Sequence, residues 1–234
     1  MTPQLRQELT FAVEDASRAS EVRAIVLTGS GGSFCAGADL GEQPGAAERA
    51  VGALRRQVRD GVQRLVAAVM DCDKPVIAAV DGIAAGVGAH VAFACDLVLA
   101  SPDARFIEAF VRRGLAADGG GAWLLPRLVG LQRAKELLFL GDEVGAEAAL
   151  RLGLVNRVTA DLDGDARALA NRLAEGPTLA IAAMKRLANR AFEHDRDIAF
   201  EAESSLVELV RASRDATEGI AAFRERRPPR YSGR

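Results

Sequence analysis

The chain has three cysteines, two histidines, one tryptophan and one tyrosine in 234 residues, and each scarcity excludes something. Cys35, Cys72 and Cys95 form no metal-ligand pair and no even disulfide set, so a reduced, cytoplasmic setting is expected. A net charge of −2 offers no electrostatic footprint for nucleic acid. Long apolar runs are also missing. The most apolar segment, Pro75 to Ala100, carries Asp81, His90, Asp96 and several glycines, which makes it a poor membrane span. The opening Met1-Thr-Pro-Gln4 runs into a charged amphipathic stretch rather than a leader sequence. No Gly-Lys pair exists, so there is no phosphate-binding loop of the Gly-Lys-Ser/Thr kind. Val91 stands where a dinucleotide fingerprint starting at Gly86 needs its third glycine.

What is present is an alternation of buried strands and helices. Leu5, Leu9, Val13 and Ala16 recur at helical spacing, and Val22–Thr28 reads as a strand closed by the glycine-rich 29–33. A mobile loop is expected around Gly41–Glu48, then a long helix from about Ala50 to Val69 stopped by Lys74-Pro75. Val76–Val80 is a second buried strand, Gly82–Gly88 a turn opening a helix to about Ala94, and Asp96–Ala100 and Arg105–Ile107 are further strands. From Asp165 to Phe223 the pattern is helical, broken at Gly176-Pro177. The fold class is α/β, with a β/α core over residues 1–164 and a helical region over 165–234.

Two strand-to-turn junctions hold small residues, Phe34-Cys-Ala-Gly-Ala-Asp-Leu40 and Asp81-Gly-Ile-Ala-Ala-Gly-Val-Gly88. Small side chains let a ligand approach the backbone, and the first N–H groups of a helix are unpaired. Two such groups converging on one carbonyl oxygen stabilise an enolate. Alone this signal is weak, since glycine before a helix usually marks only a tight turn.

These junctions are similar to the signatures of the crotonase (enoyl-CoA hydratase/isomerase) superfamily. Lys74–Gly82, Leu125-Pro-Arg-Leu-Val-Gly130, Ala148–Val155 and Glu218–Arg226 continue the resemblance over nearly the whole chain. It implies a ββα spiral core with a helical C-terminal trimerisation region. It implies an acyl-CoA thioester substrate whose coenzyme A is part of the substrate, with no further cofactor and no metal. The oxyanion-hole donors would be the backbone N–H groups of Ala38 and Val87; most members have glycine at the latter position. Ala36, Asp39 and Leu40 match coenzyme A contacts, with Ala38 among them. Phe223 and Arg226 match residues that reach a neighbour's coenzyme A, hence an expected homotrimer or dimer of trimers. The match starts at the first helix, and the hairpin that most members place ahead of it has no counterpart after Met1; without it a neighbouring strand edge is expected to be unpaired.

Hydratases of this superfamily split water with two glutamates, which fall here on His90 and Phe110. Glu108, on the same face of a short strand as Phe110, is a reserve candidate. The stretch Arg105–Phe110 through Gly114–Pro126 looks most like the epoxyphenylacetyl-CoA isomerase subgroup of phenylacetate catabolism. That resemblance makes Asp118 the base of an isomerase that shuttles one proton through an enolate; the competing reading is an N-cap for the following helix. His90 is either a second acid/base or a packing residue. Phe110 and Trp123 are candidates for the acyl pocket, although a lone tryptophan on a helix is more often core. Rival readings are an enoyl-CoA hydratase of fatty-acid β-oxidation, more distantly an aroyl-CoA dehalogenase, and a non-catalytic acyl-CoA-binding subunit.

Overall fold

The structure is a computed structural model and describes residues 1–39, 41 and 50–234. The loop expected around Gly41–Glu48, apart from Gly41 itself, and the coenzyme A contact assigned to Leu40 lie outside the described residues.

Helix α1 (Pro3–Arg18) begins where Thr2 accepts a hydrogen bond from the Leu5 N–H and Pro3 presets the first helical φ. Strand β1 (Ile25–Thr28) starts three residues later than the apolar run suggests. The expected long helix is instead α2 (Ala53–Gln57), a π-helical segment Val58–Gln63, and α3 (Arg64–Asp71), joined without a break. Next come β2 (Val76–Val80), β3 (Ile83–Ala85) and α4 (Val87–Ala94). The stretch expected as a plain turn before the helix thus contains a short strand. Strands β4 (Leu97–Ala100) and β5 (Arg105–Ile107) repeat the pattern, and α5 (Gly121–Leu140) is broken at Gly130. The chain finishes with β6 (Glu143–Gly145), α6 (Ala146–Leu152), β7 (Arg157–Val158), α7 (Leu162–Ala174), α8 (Thr178–Arg190), α9 (Arg196–Arg211) and α10 (Arg214–Glu225).

The strands form two sheets. One is parallel, in the order β1-β2-β4-β7, and the other runs β3-β5-β6 with only its last pair antiparallel. The chain steps from the first sheet to the second through Asp81-Gly82 and again between β4 and β5, then crosses back by helix. Such parallel pairing needs cover on both faces of a sheet. Every residue of β2 is buried, and so is every residue of α4, an apolar helix wedged between the layers. The far face of the first sheet is covered by α7: Leu162 and Ala166 pack with Ile77, Ala79 and Leu99. The boundary expected at 164/165 therefore falls inside an element that completes the core. The outer side of β1 is an edge, with no strand beyond it among the described residues.

A part-buried ion pair that sequence reading missed ties α8 to this core. Lys185 Nζ donates to Asp96 Oδ2 (2.8 Å), Val69 O (3.0 Å) and Lys74 O (3.2 Å), and Asp96 also accepts from the Val76 N–H. Burial pushes the Asp96 carboxyl up, with the Lys185 ammonium pulling it back.

Candidate active site

Phe34–Ala38 runs beside β3, and the pairing is tight. The Phe34 N–H donates to Asp81 O (2.8 Å), the Cys35 N–H to Ile83 O (2.9 Å), and the Ala85 N–H to Cys35 O (2.9 Å). A side chain at Gly88 would collide with Cys35, its Cβ lying 2.3 Å from Cys35 O. Only a residue without Cβ lets the loop cross the start of α4. Gly86 turns the chain there with φ 51° and ψ −121°, a conformation essentially reserved for glycine. The result sets the Ala38 loop beside the N-terminus of α4. Val87 is the first residue of that helix, so its N–H has no intrahelical acceptor. The Ala38 N–H meets no acceptor among the described residues.

Both residues line a cleft of about 730 Å³, together with Ala36, Asp39, Phe110, Asp118, Arg6 and the α2–π segment residues Leu54, Gln57, Val58 and Val62. A π turn of this kind re-aims side chains and recurs at functional sites.

Asp118 is half-buried on the cleft wall, and its buried Oδ1 meets no hydrogen-bond donor among the described residues. It is not the cap of α5. That helix starts at Gly121, its N-cap is Gly120 with φ 84°, and no side chain caps it. Burial raises the Asp118 carboxyl above the ordinary aspartate range, partly offset by the positive fields of His90 and Arg6.

His90 does not reach the cleft. It is fully buried, its ring stacks on Phe110 (5.3 Å between centroids, 11° between planes), and its Nε2 lies 2.9 Å from Glu108 Oε2. Phe110 walls the cleft and covers the imidazole. The imidazole lines no part of the cleft and meets Glu108 and Phe110 instead. Glu108, the reserve candidate, is 5% exposed and engaged with His90 rather than facing the cleft. Trp123 lies elsewhere too: the Arg127 guanidinium sits 3.8 Å from its ring centroid, and the indole packs on the core. Phe223 and Arg226, at the end of α10, line no part of the cleft, and Phe223 is 85% exposed. No cluster of three or more metal-binding side chains occurs among the described residues.

A family model described as enoyl-CoA hydratase/isomerase matches residues 1–234. The chain belongs to the enoyl-CoA hydratase/isomerase family. Within it, the chain is 43% identical over 232 residues to a Rhodobacter capsulatus protein named "Probable enoyl-CoA hydratase", covering 98% of this chain and 88% of that one. It is 35% identical over 233 residues to the 1,2-epoxyphenylacetyl-CoA isomerase of Escherichia coli, covering 99% and 89%. The fold matches the crystal structure of enoyl-CoA hydratase from Mycobacterium smegmatis with a TM-score of 0.90 at 33% identity, covering 99% of this chain and 89% of that one. The crotonase fold and an enzyme acting on acyl-CoA are thereby shown for this family member.

Proposed function

We propose that this family member isomerises an unsaturated acyl-CoA through an enolate. The thioester oxygen sits between the N–H groups of Ala38 and Val87. Asp118 removes a proton from one carbon of the acyl group and returns it to another. Ala36 and Asp39 flank the coenzyme A, whose thioester activates the substrate, so no separate cofactor takes part. Phe223 and Arg226 complete the coenzyme A site of a neighbouring copy in a trimer, and the enzyme works in the cytoplasm.

One observation carries the reading: a carboxyl raised by burial lines the cleft and is spared any capping duty. A base with a raised pKa holds and releases a proton near neutrality more readily than an ordinary aspartate. Hydration is the second reading, favoured by the name of the 43% identical relative. It needs a second group to split water, and His90 and Glu108 are shut away from the cleft.

Incubation with a panel of enoyl-CoA thioesters, read by mass spectrometry and NMR, separates the two: hydration adds the mass of water, whereas isomerisation moves the double bond at constant mass. Asp118→Asn keeps size and removes the base, so isomerisation should fall by about 10²-fold or more while folding is preserved. Full turnover in that variant would place the base elsewhere.

A further inference from the structure

Arg6 lies in the first turn of α1, its backbone N–H donating to Thr2 O (3.1 Å) and its carbonyl accepting from the Thr10 hydroxyl (2.7 Å). Its side chain turns inward. Only 8% of the residue is exposed, and it lines the same cleft as Asp118. The guanidinium rests on Gly61 of the π segment, with Cζ 3.8 Å from where a Cβ there would stand. Among the described residues its buried Nε meets no acceptor and the buried Asp118 Oδ1 meets no donor. The two groups face one cleft without bonding to each other.

A largely buried guanidinium with an unpaired Nε is costly, and proteins rarely keep one without a use. The other charged groups lining the cleft do not occupy it. Arg113 donates to its own Ala109 carbonyl (3.0 Å), and Asp39 accepts from the Gly41 N–H (3.0 Å). Apolar Leu54, Val58, Val62, Leu115 and Ala116 share the wall with the Gln57 amide, and Arg6 is the one buried cationic side chain among the described lining residues.

We propose that Arg6 recognises an oxygen carried by the acyl group itself, so that the preferred substrate is an oxygenated acyl-CoA bearing a keto or carboxylate acceptor away from the thioester. This inference rests on the acyl group occupying the cleft, as argued above. The guanidinium supplies donors that a purely hydrocarbon chain leaves unused. A hydrocarbon chain laid against them would add desolvation without a bond, so the same residue discriminates against plain acyl groups.

The test uses three saturated thioesters, hexanoyl-CoA, 5-oxohexanoyl-CoA and adipyl-CoA, titrated calorimetrically into the intact protein and into Arg6→Met. None has a double bond to move, so the result does not depend on Asp118 being the base. The parent should bind at least one oxygenated probe roughly tenfold or more tighter than hexanoyl-CoA. Preference for adipyl-CoA alone assigns an anionic acyl end, and preference for both assigns any oxygen acceptor. Arg6→Met should erase the preference, bind hexanoyl-CoA more tightly than the parent does, and melt no lower than the parent, because a buried charge without a hydrogen-bonding partner has gone. Equal affinities for the three probes in the parent, or a preference surviving in Arg6→Met, overturns the inference. If none of the three probes binds, the acyl reading of the cleft fails, and this inference with it.

Discussion

Val87 stands at the first position of α4, where a helix tolerates proline because the missing N–H has no intrahelical role. Val87→Pro therefore removes one oxyanion donor while keeping an apolar side chain of similar size at this buried position. Turnover should drop by about 10²–10³-fold, with circular dichroism and melting close to the parent. A fully active proline variant would show that this N–H holds no substrate oxygen. Asp118 makes a complementary prediction in pH. Its carboxyl is raised in the folded state, and the working base is the ionised form. Activity is therefore lost as pH falls through the raised value, so the acid limb of kcat/KM should lie above about 3.9, the usual aspartate value. The stability sign is opposite to that of a salt-bridged aspartate: the folded state binds the proton more tightly, so this residue's contribution weakens as pH rises. Asp118→Asn should therefore melt no lower than the parent at neutral pH. A residue serving as a cap would instead cost about 1 kcal/mol on replacement by alanine.

Single elements differ in how much of them the sequence reveals. β2 and α4 are legible because burial on all sides leaves an unbroken apolar run. Strands β3 and β6 have three residues each, too short for any period to register. The π segment Val58–Gln63 hides because its composition suits an ordinary helix. The role of Asp118 stayed open in sequence because three successive glycines allow the next helix to start at several places. The His90–Glu108 pair and the Arg6 guanidinium depend on which distant elements meet, which no local pattern encodes. The same holds for Lys185, whose partners lie 89 to 116 positions away in the chain. Lys185→Met strands Asp96 and the ends of α3 and β2 without their shared donor. It should cost about 1.5–3 kcal/mol in urea unfolding, and a loss below about 0.5 kcal/mol would mean that α8 docks by apolar packing alone.

At the scale of the molecule, the C-terminal helices do not account for their own apolar residues. No residue of α9 is buried, and it exposes Ile198, Phe200, Val207 and Leu209. Phe223 on α10 is more exposed still. In a lone copy these side chains would stay in water, so the proposed trimer gives them a place. Light scattering should return three chains or a multiple, and Phe200→Asp should shift the mass toward the single chain, with coenzyme A affinity falling because Phe223 and Arg226 no longer reach a neighbour. A monomer at working concentration would leave those two residues without their assigned role. Among the described residues no helix is long and apolar enough to cross a membrane.

The crossing of the Ala38 loop over α4 has a further consequence for how such enzymes diverge. Its proposed donors are main-chain atoms, fixed by the path of the backbone and by Gly86 and Gly88, so neither donor depends on the chemistry of the side chain at 38 or 87, though the buried Val87 must still fit its surroundings. Positions 90, 108, 110 and 118, which wall or back the cleft, can then change independently of the oxygen-binding pair. A lineage can thus exchange its proton-handling groups, and with them its reaction, without ever rebuilding the part that stabilises the intermediate. A saturation scan should reveal this as tolerance at 38 short of proline and bulk, and acceptance of small apolar side chains at the buried position 87, beside near-invariance at 86 and 88.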